Sequence, residues 1–141
     1  MSIHLSYDTT NVDWNAVAYV MEMAPLAKRD PEQLRRACQN SAVVVFAYDQ
    51  TRIVGWGRAI SDGEFCAAVY DVVVLPEYQG CGVGRSIITA LLERLPSHSV
   101  TLYATPGKEA FYKKLGFHPM KTSMGKFSDV EQMRRGGYIE G

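Results

Sequence analysis

The chain has 141 residues and no formal net charge, because 15 lysines and arginines balance 15 aspartates and glutamates. This length suits one domain with a single core, and an apolar share of 47% is usual for a globular protein. No run of like charges exceeds two residues. The charge pattern therefore gives no support for non-specific binding to nucleic acids or to membrane surfaces.

The cysteines and the N-terminus indicate the compartment. Cys38, Cys66 and Cys81 are odd in number and lack CxxC spacing, which favours free thiols over a disulfide framework or a zinc site. The N-terminus lacks the basic and apolar regions of a signal peptide, and the apolar runs are too short to cross a bilayer. We expect a cytoplasmic protein that binds no metal.

The first forty residues predict one strand and two helices. Residues 3–8 alternate between apolar and polar, as a strand does, and residues 11–24 place apolar side chains at helical spacing. A second helix begins at a strong start signal. There Asp30 can cap the helix, Pro31 suits its first position, and Gln33 completes a capping-box geometry.

Three strands in a row are predicted next. Residues 42–48 and 52–60 are rich in β-branched side chains and are joined by a short polar turn, so they predict a hairpin. Residues 65–75 are the longest strand candidate. Residues 84–95 carry the apolar stripe of an amphipathic helix, and residues 100–104 predict another strand.

The last forty residues predict two short helices with a strand between them. Thr105 is expected to cap the first helix, which ends at Gly116, and residues 118–127 suggest one more strand or hairpin. Ser128 and Glu131 match a capping box at the start of the final helix. Up to residue 127 the order is βααβββαβαβ, which predicts an α/β fold in which an antiparallel meander leads into a parallel strand pair.

A glycine-rich turn, "QGCGVG" at residues 79–84, joins the longest strand to the amphipathic helix. Exposed amides at a helix start favour an anion such as phosphate, and glycine lets the backbone approach it closely. A tight turn that needs glycine only for its shape is the alternative. A Walker A loop would need a lysine where Arg85 stands, and a dinucleotide fingerprint would need its third glycine there. Both nucleotide-binding interpretations therefore fail at Arg85.

The same six residues match the Q/R-x-x-G-x-G/A signature, and in this the chain resembles the GCN5-related N-acetyltransferases, the GNAT family. The segment "AFYKKLGF" at residues 110–117 resembles the second recurrent segment of that family. The resemblance implies a single GNAT acetyltransferase domain over residues 1–141. It implies an α/β fold with a mixed, mostly antiparallel sheet flanked by helices and a central splayed parallel strand pair.

The resemblance also implies acetyl-CoA as cosubstrate and direct attack by a primary amine in a ternary complex, without a metal. The pyrophosphate would lie over the amides of residues 80–85, with Arg85 as an added cation. The pantetheine arm would pair with the strand edge at residues 72–74. The cofactor-binding residues expected on this basis are Val72, Val73, Val74, Gln79, Gly80, Cys81, Gly82, Val83, Gly84 and Arg85.

Asp71 is the lead candidate for a general base. An amine attacks a thioester only when it is neutral, and alkylamines are mostly protonated at neutral pH. Asp71 is a carboxylate within an otherwise apolar strand, beside the position that the resemblance gives the thioester. A hydrogen-bonded structural aspartate is the alternative. Glu22 and Glu64 are weaker candidates, because no spacing argument supports them.

Tyr112 matches the tyrosine that often serves as the family's general acid. A phenol with a pKa of about 10 can protonate a thiolate whose thiol has a pKa of about 8.5. A core aromatic beside Phe111 is the alternative for Tyr112. The backbone amide of Val72 or Val73 would stabilise the oxyanion. The asparagine that many family members carry after the strand is absent from residues 104–112, "ATPGKEAFY", which removes one expected contact to CoA.

The acceptor is constrained least. Aromatic and methionine side chains of the first helix and two strands are candidates to line its site, although most suit a packed core: Trp14, Tyr19, Met21, Met23, Trp56 and Tyr70. His4, His98 and His118 show no partner spacing and are expected at the surface or in turns. A small-molecule amine is the expected acceptor, and look-alikes suggest a homodimer. A non-catalytic CoA-binding sensor or interaction module is the alternative function.

Overall fold

The structure is a computed structural model that describes residues 2–95 and 99–141, so His98 lies outside the described residues. The chain forms two compact units, Met1–Leu102 and Tyr103–Gly141. The first unit contains β1 (Ile3–Ser6), α1 (Trp14–Met23), α2 (Pro31–Gln39), β2 (Val43–Asp49), β3 (Arg52–Ser61), β4 (Cys66–Val74), a 3-10 turn (Pro76–Tyr78), α3 (Val83–Glu93) and β5 (Ser99–Thr101). The second contains α4 (Glu109–Lys113) and α5 (Val130–Arg135).

The five strands form one mixed sheet in the order β1-β2-β3-β4-β5. The first four strands pair antiparallel, and β5 pairs parallel with β4, which confirms the predicted fold class. The parallel pair was expected at the centre but lies at one edge of this sheet among the described residues, and it is short, running from Cys66 opposite Ser99 to Ala68 opposite Thr101. Residues 69–74 of β4 therefore continue beyond the end of β5.

Aspartates set the first two helix starts, as predicted for the second. Asp13 accepts hydrogen bonds from the amides of Asn15 and Ala16 at the start of α1. Asp30 accepts one from the Gln33 amide, and Pro31 occupies the first position of α2. Each carboxylate satisfies amides that have no partner within the helix.

The core is centred on β3. Trp56 is fully buried, and its indole N–H donates to the Val17 carbonyl of α1 at 3.0 Å, which ties that helix to the sheet. Gly57 allows α3 to pack closely, because a Cβ there would lie 2.9 Å from Ile87 Cγ2 and 3.3 Å from Leu91 Cδ1. The helix that follows the glycine-rich turn thus lies directly on β3.

The second unit corrects three expectations. The helix α4 begins at Glu109, not at Thr105, because Gly107 has a φ of 96° that no α-helix contains. The same helix ends at Lys113, before the predicted end at Gly116, and Gly116 closes the turn that follows with a left-handed φ of 92°. No strand or hairpin forms among residues 118–127, which contribute to no sheet.

The third correction concerns the final helix. Its start is capped by Asp129, which accepts from the Gln132 amide at 3.0 Å, and not by Ser128. A carboxylate forms a stronger, charge-assisted hydrogen bond with a helix-start amide than a hydroxyl does.

Residues 2–95 and 99–141 contain neither a membrane-spanning helix nor a metal-binding cluster. No helix there is long and apolar enough to cross a membrane. No group of three His, Cys, Asp or Glu side chains there is arranged to hold a metal ion.

The close packing at Gly57 generates a stability prediction. Gly57→Ala should lower the free energy of unfolding by about 1–3 kcal/mol, because the added methyl group must displace Ile87. Urea unfolding at 25 °C measures this change. In an Ile87→Ala background the cost of Gly57→Ala should shrink, because neighbouring substitutions are not additive. An equal cost in both backgrounds would contradict the contact with Ile87 as the cause.

Candidate active site

The glycine-rich turn has the backbone of an anion-binding loop. Gly80 and Gly82 have φ values of 79° and 85°, in the left-handed region that glycine adopts most readily. A Cβ at either position would meet no atom within 4 Å, so these glycines provide conformation rather than space. Gly84, in contrast, lies inside the first turn of α3 and is not among the glycines with positive φ.

The start of α3 leaves backbone amides available. Gly82 is the N-cap residue, and no side chain caps the helix. The Ser86 amide bonds to the Gly82 carbonyl, so the amides of Val83, Gly84 and Arg85 have no partner within the helix. Together with the helix dipole, these amides favour a bound anion.

The polar side chains of the same loop differ in whether they already have a partner within the protein. The Arg85 side chain is exposed and makes no hydrogen bond or ion pair with any residue that the structure describes, so its charge is available to an anion. Gln79, in contrast, donates its side-chain amide to the Val74 carbonyl at 3.0 Å and links the loop to the end of β4. Cys81 is an exposed free thiol, with Sγ 3.8 Å from the Gln79 carbonyl.

A polar cluster anchors the 3-10 turn that precedes the loop. The Tyr78 hydroxyl donates to Asp49 of β2 at 2.6 Å, and this bond lowers the pKa of the Asp49 carboxyl. Arg52 lies over the Tyr78 ring at 5.9 Å and pairs with Glu77 at 3.4 Å. These contacts fix the approach of the chain to Gly80.

The edge of β4 next to the loop is open on one side. Leu75 donates its amide to the Val54 carbonyl of β3 at 2.8 Å. Because amides alternate in direction along a strand, the Val73 amide also points at β3, whereas those of Val72 and Val74 point away from it. No strand of the first unit pairs with residues 69–74 on that side, within the residues described. The edge therefore presents unpaired amides beside the glycine loop.

Asp71 lies in a β-bulge of this strand. Trp56 pairs with Val73 and Arg58 pairs with Tyr70, so β4 contains one residue more than β3 between these pairs. Asp71 has a φ of 60°, which costs about 1–3 kcal/mol in a residue with a side chain and least in Asp or Asn. Bulges of this kind redirect a side chain and recur beside active sites.

The Asp71 carboxylate pairs with Arg58, a residue that sequence reasoning missed. Arg58 Nε donates to Asp71 Oδ2 at 2.7 Å, and the two side chains are only 20% and 17% exposed. The Arg58 guanidinium also lies over the Tyr70 ring at 5.5 Å. The available signal was an arginine inside the apolar part of the run "RIVGWGRAI", since a charge in a half-buried strand needs a partner.

Tyr112 lies on α4 within an aromatic cluster. Its ring packs edge-on against Phe111 at 5.0 Å and Phe117 at 5.8 Å. Tyr112 is half-buried, and this burial raises the pKa of its phenol, so the group holds its proton at neutral pH. A protonated phenol is the form that a general acid requires.

The other candidates differ in exposure. Met21 and Trp56 are fully buried and belong to the core, as the packing alternative predicted. Tyr19 and Met23 are exposed, and Trp14 is half-buried with its ring edge-on to Phe46. The remaining titratable candidates lie at the surface, where Glu22 is 4.0 Å from Lys28, Glu64 is in the β3–β4 turn, His4 stacks on Tyr48, and His118 is exposed.

Comparisons with known proteins agree with this geometry. Residues 17–130 match the family model described as an acetyltransferase (GNAT) domain. The chain belongs to the GNAT acetyltransferase family. It is 32% identical over 122 residues to the uncharacterized N-acetyltransferase ycf52 of Pyropia yezoensis, covering 82% of this chain and 70% of the relative. GNAT membership makes it an acetyl-CoA-dependent N-acetyltransferase.

Two further proteins share this GNAT likeness. Serotonin N-acetyltransferase 2, chloroplastic, of Oryza sativa subsp. japonica is 38% identical over 116 residues, which cover 77% of this chain and 58% of the relative. A solved structure of a protein of unknown function from meticillin-resistant Staphylococcus aureus superimposes with a TM-score of 0.81 at 25% identity. That match covers 92% of this chain and all of the other, 100%.

The Tyr78–Asp49 bond generates a pH prediction. A carboxyl whose pKa is lower in the folded protein stabilises the fold when the pH is above its usual pKa of 3.8. This stabilisation is lost as the pH falls through the lowered pKa of Asp49. Tyr78→Phe should therefore destabilise the protein at pH 7, and its difference from wild type should shrink toward pH 3. Urea unfolding at both pH values measures this. Tyr19→Phe is the control, and an unchanged Tyr78→Phe difference at both pH values would refute the prediction.

Proposed function

We propose that this GNAT enzyme acetylates the primary amine of a small molecule by direct attack on acetyl-CoA in a ternary complex. The observation that carries the proposal is the open edge of β4, which leads directly into a left-handed glycine loop and an uncapped helix start. An extended amide chain that ends in a pyrophosphate fits this sequence of features. We also propose that residues 1–141 act as one catalytic domain, and a cytoplasmic location stays a prediction.

The cosubstrate would be held by two kinds of backbone contact. The pyrophosphate would accept hydrogen bonds from the amides of residues 80–85, and Arg85 would add a positive charge. A pantetheine carbonyl would accept a hydrogen bond from the Val74 amide, which points away from β3 as the Val72 amide does. In this proposal Val73 supports the strand rather than the ligand, because its amide points at β3.

The transfer forms an N–C bond and breaks a C–S bond. The amine nitrogen attacks the thioester carbon, and the Val72 amide would donate to the developing oxyanion. Asp71 remains the proposed base. It would accept the proton of the amine at Oδ1, because Oδ2 already accepts a hydrogen bond from Arg58 Nε. The tetrahedral intermediate formed by this attack would then break its C–S bond and expel the CoA thiolate. The Tyr112 phenol would give its proton to that thiolate.

An acetyl-CoA turnover screen tests the function. Acetyl-CoA should raise the melting temperature, and free thiol should appear with at least one amine from a panel of arylalkylamines, polyamines, amino sugars, amino acids and short peptides. Arylalkylamines come first, because one relative is named a serotonin N-acetyltransferase. Tyr112→Phe should lower kcat with that amine, because phenylalanine keeps the packing of the ring but lacks the hydroxyl group that would donate the proton.

Two outcomes of the screen would contradict the proposal. Stabilisation by acetyl-CoA without thiol release from any amine would favour the CoA-binding sensor. No stabilisation at millimolar acetyl-CoA would reject CoA binding itself.

A matched pair of substitutions tests the phosphate loop. Asparagine and aspartate both tolerate the left-handed φ of Gly82, so Gly82→Asn and Gly82→Asp share similar strain and differ in charge. Gly82→Asp should bind CoA at least about tenfold more weakly than Gly82→Asn, because a carboxylate would lie beside the pyrophosphate. Titration calorimetry with CoA measures both dissociation constants.

Gly63 supplies the control for this pair. It has a φ of 82° in the β3–β4 turn, and a Cβ there meets nothing within 4 Å. Gly63→Asn and Gly63→Asp should therefore bind CoA equally well. If Gly82→Asp and Gly82→Asn also bound equally, the pyrophosphate would not lie at this loop.

A further inference from the structure

The bulge in β4 contains a backbone conformation that its surroundings must support. Asp71 adopts a φ of 60°, between Tyr70 on one side and Val72 on the other. A residue with a side chain stays in the left-handed region when neighbouring contacts favour it over relaxed alternatives. Aspartate tolerates the conformation better than most residues, but its identity alone does not remove the cost.

Arg58 supplies the supporting contact. Its Nε lies 2.7 Å from Asp71 Oδ2, in a pair whose burial limits screening by water and salt. The same guanidinium lies over the Tyr70 ring at 5.5 Å, and Nη1 is 3.4 Å from the Ser41 hydroxyl, just after α2. Contacts on three sides thus fix the direction in which Arg58 holds the carboxylate.

The thiol of Cys38 does not compete with Asp71 for the positive charge of Arg58. Burial raises the pKa of Cys38 to about 12, so this thiol stays neutral at physiological pH. The nearby Arg58 charge favours the thiolate, but the burial effect is larger. The ion pair with Asp71 is therefore unaffected by thiol ionisation over the working pH range.

The bulge decides which amides face the open edge. Before it, Tyr70 is paired with Arg58, and after it Val73 is paired with Trp56, so the register changes by one residue. A strand without the bulge would turn every following residue to the opposite side, because the backbone period is two. The Val72 amide, proposed above as the oxyanion donor, depends on this one-residue change.

We propose that Arg58 is a positioning residue for acetyl transfer: through Asp71 it holds the β4 bulge, and the bulge directs the Val72 amide to the open edge. This inference rests on the proposed function for its catalytic consequence. Arg58 itself touches no reacting atom. Its effect on the strand is present without any ligand.

Arg58→Gln tests this role. With the amine that gives turnover in the wild-type enzyme, kcat should fall by about tenfold or more, because misplacing a catalytic group by about 1 Å has effects of this size. The KM for acetyl-CoA should change by less than about threefold, because the phosphate loop is intact. Arg58→Lys keeps the charge and should recover part of kcat, and it serves as the test if Arg58→Gln fails to fold.

A ligand-free amide NMR spectrum provides a readout that does not need activity. Arg58→Gln should shift the backbone signals of residues 71–73. Arg35→Gln is the matched control, because it removes an exposed arginine–glutamate pair on α2 and should change neither these signals nor kcat.

The outcomes separate this inference from the proposed function. If the wild type acetylates an amine while Arg58→Gln retains full kcat, or loses kcat without any shift at residues 71–73, the positioning role falls. If those signals shift but the wild type acetylates no amine, the support of the bulge stands and the proposed function fails.

Discussion

The site depends on an interruption in the hydrogen bonding of the sheet. β5 pairs with β4 only as far as Ala68, and β4 then continues for six residues, 69–74. Exposed strand edges normally invite unwanted pairing with other chains. Here the edge lies beside a glycine loop that favours anions, so a ligand with amides and phosphates satisfies both features. The early end of β5 thus leaves open the edge at which we propose that acetyl-CoA binds.

The remaining features keep that edge and the loop in register. α3 lies close to β3 because Gly57 has no side chain, and this fixes where the helix begins. Tyr78 and Gln79 bind the segment between β4 and α3 to Asp49 and to the Val74 carbonyl. The loop is thus attached to two different strands, which preorganises its amides for an anion.

Regular elements were predictable because their signals are local. β-branched runs marked β2, β3 and β4, and the Asp30–Pro31 pair marked the start of α2. Residues 118–127 were mispredicted as a strand or hairpin. Scattered apolar residues do not by themselves provide a neighbouring strand with which to pair. The start of α4 was mispredicted because Gly107 adopts a left-handed backbone that only the folded chain reveals.

The candidate site was predictable in its loop but not in its bulge. Glycine spacing indicated a turn whose backbone an anion can approach closely, and Gly80 and Gly82 adopt the left-handed conformation that few other residues accept. The bulge at Asp71 left no trace in the alternation of side chains, because the run from Val72 to Val74 is apolar on both faces. Its partner Arg58 is 13 residues away in the chain and meets Asp71 only across the sheet.

The strand order also bears on how the chain folds. Neighbours in the sheet follow the order of the chain, so β1 to β4 can add one after another during folding. Of these strands β2, β3 and β4 are joined by short turns, and local pairing of this kind closes small loops and forms quickly. The parallel pairing of β5 must wait for α3 to cross over the sheet. We therefore expect the open edge to exist early in folding, before the strand that defines its limit has docked.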